Sequence, residues 1–169
     1  MANFLRVDLG AGDDYLLNQG YINGSVRLGA GNDIFLMERL SENPYYMGGT
    51  LYGDVYLESG DDLFDNLNGQ QYGSFQGGPG KIYGGDGSDT ISGGTQAELI
   101  SGGLGNDILT GRAGKDAFVF DATLGSQNVD LVTDFNVNED MIHLKASIFS
   151  KIVGPFNANH LCLGATAAD

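Results

Sequence analysis

The chain has 169 residues, with 28 Gly, 3 Pro and 1 Cys, and its 8 basic against 22 acidic residues give a formal charge of −14. So much glycine without a G-X-Y period excludes collagen, and a 41% hydrophobic fraction with 9 Phe and 8 Tyr excludes a simple disordered chain. The acidic balance repels phosphate backbones and anionic membranes, so no nucleic-acid partner is expected, and no apolar run approaches the ~20 residues of a membrane span.

What remains is a folded chain with many tight turns. Its charge favours divalent cations if the carboxylates converge at turns; spread over a surface, they give only solubility. Cys162 is the single cysteine, so no internal disulfide exists, and two His cannot build a Cys/His zinc cluster with it. A small extracellular fold without disulfides needs another staple, and metal is the usual one. Met1 to Arg6 shows no signal-peptide pattern and runs straight into the first repeat. Three readings follow: a cytoplasmic protein, export by a route without an N-terminal signal, or a piece of a larger polypeptide.

Residues 1–77 read as irregular coils. Val7-Asp8-Leu9-Gly10-Ala11-Gly12-Asp13-Asp14-Tyr15-Leu16 aligns with Val26-Arg27-Leu28-Gly29-Ala30-Gly31-Asn32-Asp33-Ile34-Phe35. A third copy is Val55-Tyr56-Leu57-Glu58-Ser59-Gly60-Asp61-Asp62-Leu63-Phe64. Between the copies, Met37 to Gly49 and Asn66 to Gln76 are expected to loop out. Residues 78–120 hold a regular array of four nonapeptides of the form G-G-x-G-x-D-x-U-x, where U is large and apolar. They start at Gly84, Gly93, Gly102 and Gly111; the second carries Glu98 at the Asp position, and the fourth carries Arg112 for its second glycine. Residues 121–169 lose the period and gain bulkier strands, as a solenoid cap should. After Gly154-Pro155 the pattern fades, and an end so soon after the expected strand Leu161-Cys162-Leu163 reads as that of a fragment.

The spacing has a geometric meaning. Asp14, Asp33, Asp62, Asp89 and Asp107 are separated by 19, 29, 27 and 18 residues. Nine residues make a turn plus a short strand, and two such units close one coil. Asp89 and Asp107 then stack on one edge, and Glu98 and Asp116 on the other. Leu16, Phe35, Phe64, Ile91, Ile100, Leu109 and Phe118 point inward, because side chains alternate along a strand. The expected fold is all-β: a right-handed parallel β-roll solenoid with irregular N-terminal coils and a strand-rich C-terminal cap.

The nonapeptides at Gly84 to Ser92 and Gly102 to Thr110 match the G-G-x-G-x-D-x-U-x form without exception. In this the chain resembles the repeats-in-toxin, or haemolysin-type, calcium-binding β-rolls of bacterial proteins exported by type I secretion. Asp116 to Asp121, Val129 to Phe135 and Asp140 to Leu144 resemble the block that closes such rolls in secreted proteases and alginate epimerases. The resemblance implies several bound Ca²⁺ ions, a secreted and extracellular location, and an enzyme, if any, in a separate domain.

The residue chemistry agrees. Calcium takes six to eight oxygen ligands, glycines aim backbone carbonyls at one point, and the sixth-position Asp adds charge. One turn supplies about half a shell and the next coil, about 4.8 Å away, the rest. The expected metal-binding residues are Gly10, Gly12 and Asp14; Gly29, Gly31 and Asp33; Gly60 and Asp62; Gly84, Asp86 and Asp89; Glu98; Gly102, Leu104, Gly105 and Asp107; and Gly111, Ala113 and Asp116. The side chains of Asp13, Asp61 and Asp86 are expected in solvent, and Asp134 and Asp140 are candidates for a cap calcium. No catalytic set emerges: His143 reads as structural, and neither it nor His160 pairs with Cys162 by any sequence argument. The aromatic-rich stretch Tyr45-Tyr46-Met47, Tyr52, Tyr56 and Tyr72 to Phe75 either covers the loops or meets a surface polysaccharide or a protein. The leading expectation is a calcium-folded structural or interaction module of a secreted bacterial protein. The alternative is part of an extracellular polysaccharide-modifying enzyme, epimerase-like or lyase-like.

Overall fold

The computed structural model describes residues 6–38, 49–67, 69–72 and 79–149. Among these every named element is a strand, and every strand pairing is parallel. The chain is a β-roll solenoid, as its period predicts. The first coil is β1 (Val7–Ala11), β2 (Tyr15–Asn18) and β3 (Tyr21–Asn23). The second is β4 (Val26–Ala30), β5 (Ile34–Met37) and β6 (Thr50–Tyr52), and the third β7 (Val55–Ser59), β8 (Leu63–Asp65) and β9 (Gln70–Tyr72). From there each coil has two strands: β10 (Gly80–Asp86) with β11 (Thr90–Ser92), β12 (Glu98–Leu104) with β13 (Ile108–Thr110), and β14 (Ala117–Phe120) with β15 (Leu131–Val132). β16 (Met141–Leu144) closes the series.

Three sheets result. One is seven-stranded in the order β1-β4-β7-β10-β12-β14-β16, a second six-stranded in the order β15-β13-β11-β8-β5-β2, and a third joins β3, β6 and β9. The third sheet gives the first three coils a triangular section, whereas the later coils are flat. Of the two stretches expected to loop out, residues 70–72 form β9, while residues 39–48 and 73–78 lie outside the described residues.

One position of the repeat tracks that change of section. Val26, Val55, Ile82 and Ile100 share one inward row, so Leu28 and Leu57 stand in register with Gly84 and Gly102 two residues further on. The triangular coils are wide enough to bury Leu28 and Leu57 completely. In the flat coils a Cβ at Gly84 or Gly102 would collide with the side chain of Asp89 or Asp107. The core is a ladder one or two side chains thick: Phe35, Phe64, Ile91 and Leu109 from one sheet face Val26, Val55, Ile82, Ile100 and Phe118 from the other. Each such side chain contributes about 1.5–3 kcal/mol by burial, so no single coil holds a core of its own.

Candidate metal-binding edges

The sixth-position acids form two files along the edges of the roll. On one edge the Asp14 N–H donates to Asp33 Oδ1 at 2.8 Å, Asp33 to Asp62 at 2.7 Å, Asp62 to Asp89 at 2.9 Å and Asp89 to Asp107 at 2.9 Å. The file ends with the Asp107 N–H on Asp130 Oδ1 at 3.3 Å. On the other edge the Glu98 N–H donates to Asp116 Oδ1 at 2.9 Å and the Asp116 N–H to Asp140 Oδ1 at 3.0 Å. Apart from Asp14 and Glu98, which stand first in their files, each carboxylate thus satisfies the backbone of the coil before it. The 29- and 27-residue intervals at Asp33–Asp62 and Asp62–Asp89 stack as cleanly as the 18-residue ones.

In seven of these acids one carboxylate oxygen is left over. Oδ2 of Asp14, Asp33, Asp62, Asp89, Asp107 and Asp116, and Oε1 of Glu98, are buried without a hydrogen-bond partner. Glycine leaves room for them: Gly84, Gly102 and Gly111 sit where a Cβ would meet Oδ2 of Asp89, Asp107 and Asp116. Glu98 uses its extra methylene to bring Oε2 to the Gly94 N–H at 3.3 Å. Burial, the largest cause in each case, pushes Asp62, Asp116 and Asp130 up to about 6, Asp89 to about 7 and Glu98 to about 8, and raises Asp107. Neighbouring acids of the same file, such as Asp107 beside Asp89, add to several of these shifts.

Of the glycines expected at the sites, Gly10, Gly12, Gly29, Gly31, Gly60 and Gly105 take a left-handed φ and Gly84, Gly102 and Gly111 do not; in the flat coils Gly85, Gly87 and Gly103 take it as well. These left-handed φ values lie between 101° and 137°. Glu58 and Arg112 adopt φ of 82° and 68° at the second-glycine position, and both are tied down. Glu58 pairs with Arg27; Arg112 reaches Asp65 at 2.8 Å and the Gly93 carbonyl at 2.7 Å. Asp86, Leu104 and Ala113 expose their side chains. The carbonyls of Asp86 and Leu104 accept the N–H of Gly60 and Gly87 and keep a second lone pair.

Among the described residues no group of three or more His, Cys, Asp or Glu side chains converges on one point. The files explain this, since acids arrive one per coil and the remaining oxygens are backbone. An acceptor-only, oxygen-lined edge with unpartnered carboxylate oxygens fits a hard cation such as Ca²⁺ and offers nothing to a soft metal.

A second ladder runs beside the first, one residue earlier in each turn. Asp13 Oδ1 accepts the Asn32 N–H at 2.9 Å, Asn32 Oδ1 the Asp61 N–H at 3.0 Å and Asp61 Oδ1 the Ser88 N–H at 2.8 Å. Ser88 Oγ and Asn106 Oδ1 continue it to Asn106 and Val129. Here each side chain serves the coil after it, the reverse of the acid file. Asp13 and Asp61, expected in solvent, are exposed but bonded. Asp130 also escaped the sequence reading because it lies 23 residues after Asp107, outside the nonapeptide period.

The remaining candidates are scattered. His143 is exposed on β16, while His160, Cys162, Tyr45, Tyr46 and Met47 lie outside the described residues. Tyr52 packs on Tyr21 at 5.3 Å between centroids, and Tyr56 stacks on Tyr83 at 5.1 Å with Arg27 over its ring at 4.3 Å. Asp134 accepts the N–H groups of Gly111 and Arg112.

Residues 83–118 match the RTX calcium-binding nonapeptide repeat in four copies. That stretch is the flat part of the roll from β10 to β14, and it holds Asp89, Glu98, Asp107 and Asp116. The chain therefore carries an RTX-type calcium-binding repeat with a structural role. No curated protein and no solved structure matches the chain.

Proposed function

We propose that this RTX-repeat chain is a calcium-folded structural module, with Ca²⁺ held between successive turns along both edges of the roll. The observation that carries the reading is the set of seven buried carboxylate oxygens without partners, lined up in two files. Bound calcium supplies the positive charge that lets these acids be ionised and close together. The chain's own residues do the rest. Asp62, Asp89, Asp107, Glu98 and Asp116 point one oxygen at the backbone and one at the cation, and the turn glycines bring carbonyls to the same place. The N-terminal file, Asp14, Asp33 and Asp62, carries the same arrangement beyond the matched repeat.

Without calcium the stacked acids repel and are poorly solvated, and many glycines raise the entropy cost of ordering the chain. Folding is therefore coupled to calcium. The RTX repeat also supports a secreted location, where calcium is plentiful. The test is calorimetric calcium titration of the full chain with far-UV circular dichroism followed in parallel. Expected are several ions per chain and a β signal that appears with binding and collapses in EDTA. A spectrum unchanged by EDTA would overturn the coupling, and absence of binding heat would overturn the calcium reading itself.

A further inference from the structure

We infer that the guanidinium of Arg112 is a resident cation of the second edge, filling a position that would otherwise fall to calcium. Arg112 stands at the second-glycine position of its repeat, where Gly85 and Gly103 take φ of 125° and 109°. Its own φ of 68° is left-handed, a conformation that disfavours any residue with a Cβ. Contacts on both sides offset that cost. From the later coil, Asp134 accepts the N–H of Gly111 at 2.9 Å on one oxygen and that of Arg112 at 2.7 Å on the other. The side chain folds back over the earlier coils. There Nη1 donates to the Gly93 carbonyl at 2.7 Å and Nη2 reaches Asp65 Oδ1 at 2.8 Å.

The planar fork thus holds the kind of oxygens that calcium takes, one carbonyl and one carboxylate. Gly93 opens the preceding turn of the same edge, and Asp65 ends β8, one coil earlier still. The register sets Asp65, Ser92 and Thr110 side by side, so the contact spans two inter-strand steps, about 10 Å. Here the second edge differs from the first. The acid file of the first edge starts at Asp14 in the first coil, whereas that of the second starts only at Glu98. No acid occurs between Asp65 and Asp86, so Asp65 is the last carboxylate before this corner. Arg112 neutralises it from within the chain. The two side chains are 25 and 33% exposed, so water reaches the corner and could complete the shell of an ion standing in place of the guanidinium.

The inference rests on the calcium reading and adds to it a residue that sets how many ions the second edge takes. The experiment counts calcium ions per chain by equilibrium dialysis of the full chain at roughly millimolar calcium, the range of weak extracellular sites. Arg112→Gly installs the repeat's own residue, which takes this φ without strain. Arg112→Asn removes the charge with a side chain that tolerates the left-handed region. Each is expected to bind one ion more than the wild type. Arg112→Lys keeps the charge and is expected to match the wild-type count. So is Arg112→Gly/Asp65→Asn, which lacks the carboxylate for the added ion. Circular dichroism in calcium verifies that each variant is folded. A count that rises in neither uncharged variant, while the wild type binds calcium, overturns the inference. An extra ion that persists without the Asp65 carboxylate does the same. A wild type that takes up no calcium overturns the calcium reading itself, and the inference with it.

Discussion

The sixth-position acid has two tasks at each turn, and the two can be separated. Asp107 Oδ1 accepts the Asp89 N–H at 2.9 Å, while Oδ2 is buried and free. Asp107→Asn keeps an oxygen for the N–H and removes the charge, whereas Asp107→Ala removes both. In calcium titrations both variants are expected to need at least about tenfold more calcium for the flat coils, the consequence of losing a ligand charge. In urea denaturation at saturating calcium, Asp107→Ala is expected to lose a further 1–3 kcal/mol or so, the cost of stranding the buried Asp89 N–H. Equal stability of the two variants would assign the file to the metal alone.

At the scale of the turn and its strand, glycine answers two demands that the structure separates. Gly10 and Gly103 both have left-handed φ, +101° and +109°. A Cβ at Gly103 would run into the backbone of Gly85 in the preceding coil, whereas one at Gly10 meets nothing within 4 Å. Gly10→Ala is expected to cost only the left-handed conformation, about 1–2 kcal/mol. Gly103→Ala should cost clearly more, since the coil spacing must open, and urea midpoints of the two calcium-bound variants make the comparison. The repeat was legible in the sequence for the same reason: its glycines and acids are fixed by backbone geometry, so Asp14, Asp33, Asp62, Asp89 and Asp107 could be aligned despite unequal intervals. The third sheet was not legible. Its strands are three residues long, carry no glycine–aspartate signature, and place the buried polar Gln71 where a core residue would have announced a strand. The ladder through Asp13, Asn32 and Asp61 was hidden because its partners are N–H groups 19 to 29 residues away.

For the whole molecule, the files make stability depend on pH in opposite senses with and without calcium. In the calcium-free fold Asp62, Asp116 and Asp130 titrate near 6, Asp89 near 7 and Glu98 near 8, all above the ordinary 3.8 of Asp or 4.5 of Glu. The folded state therefore holds more protons than the unfolded one. Its stabilisation is full below pH ~4 and is lost as pH rises through 6 to 8. Calcium-stripped protein is expected to keep β structure near pH 4 and to lose it by pH 8. Calcium, which displaces those protons, binds more tightly across the same interval. Circular dichroism of stripped and calcium-loaded samples across this range checks both trends, and a stripped protein most stable at pH 8 would contradict them. The two-edged coil also bears on how such a gene can change in length. Asp89 and Asp107, like Glu98 and Asp116, lie 18 residues apart on a shared edge. Inserting or deleting 18 residues adds or removes a whole turn and leaves every downstream strand in its own sheet. A nine-residue event is equally in frame with the repeat, yet it rotates everything after it by half a coil. Ile108 and Leu131 would then move to the opposite face and Arg112 would part from Asp65. The motif repeats every nine residues, but inheritance of the intact molecule runs in units of eighteen.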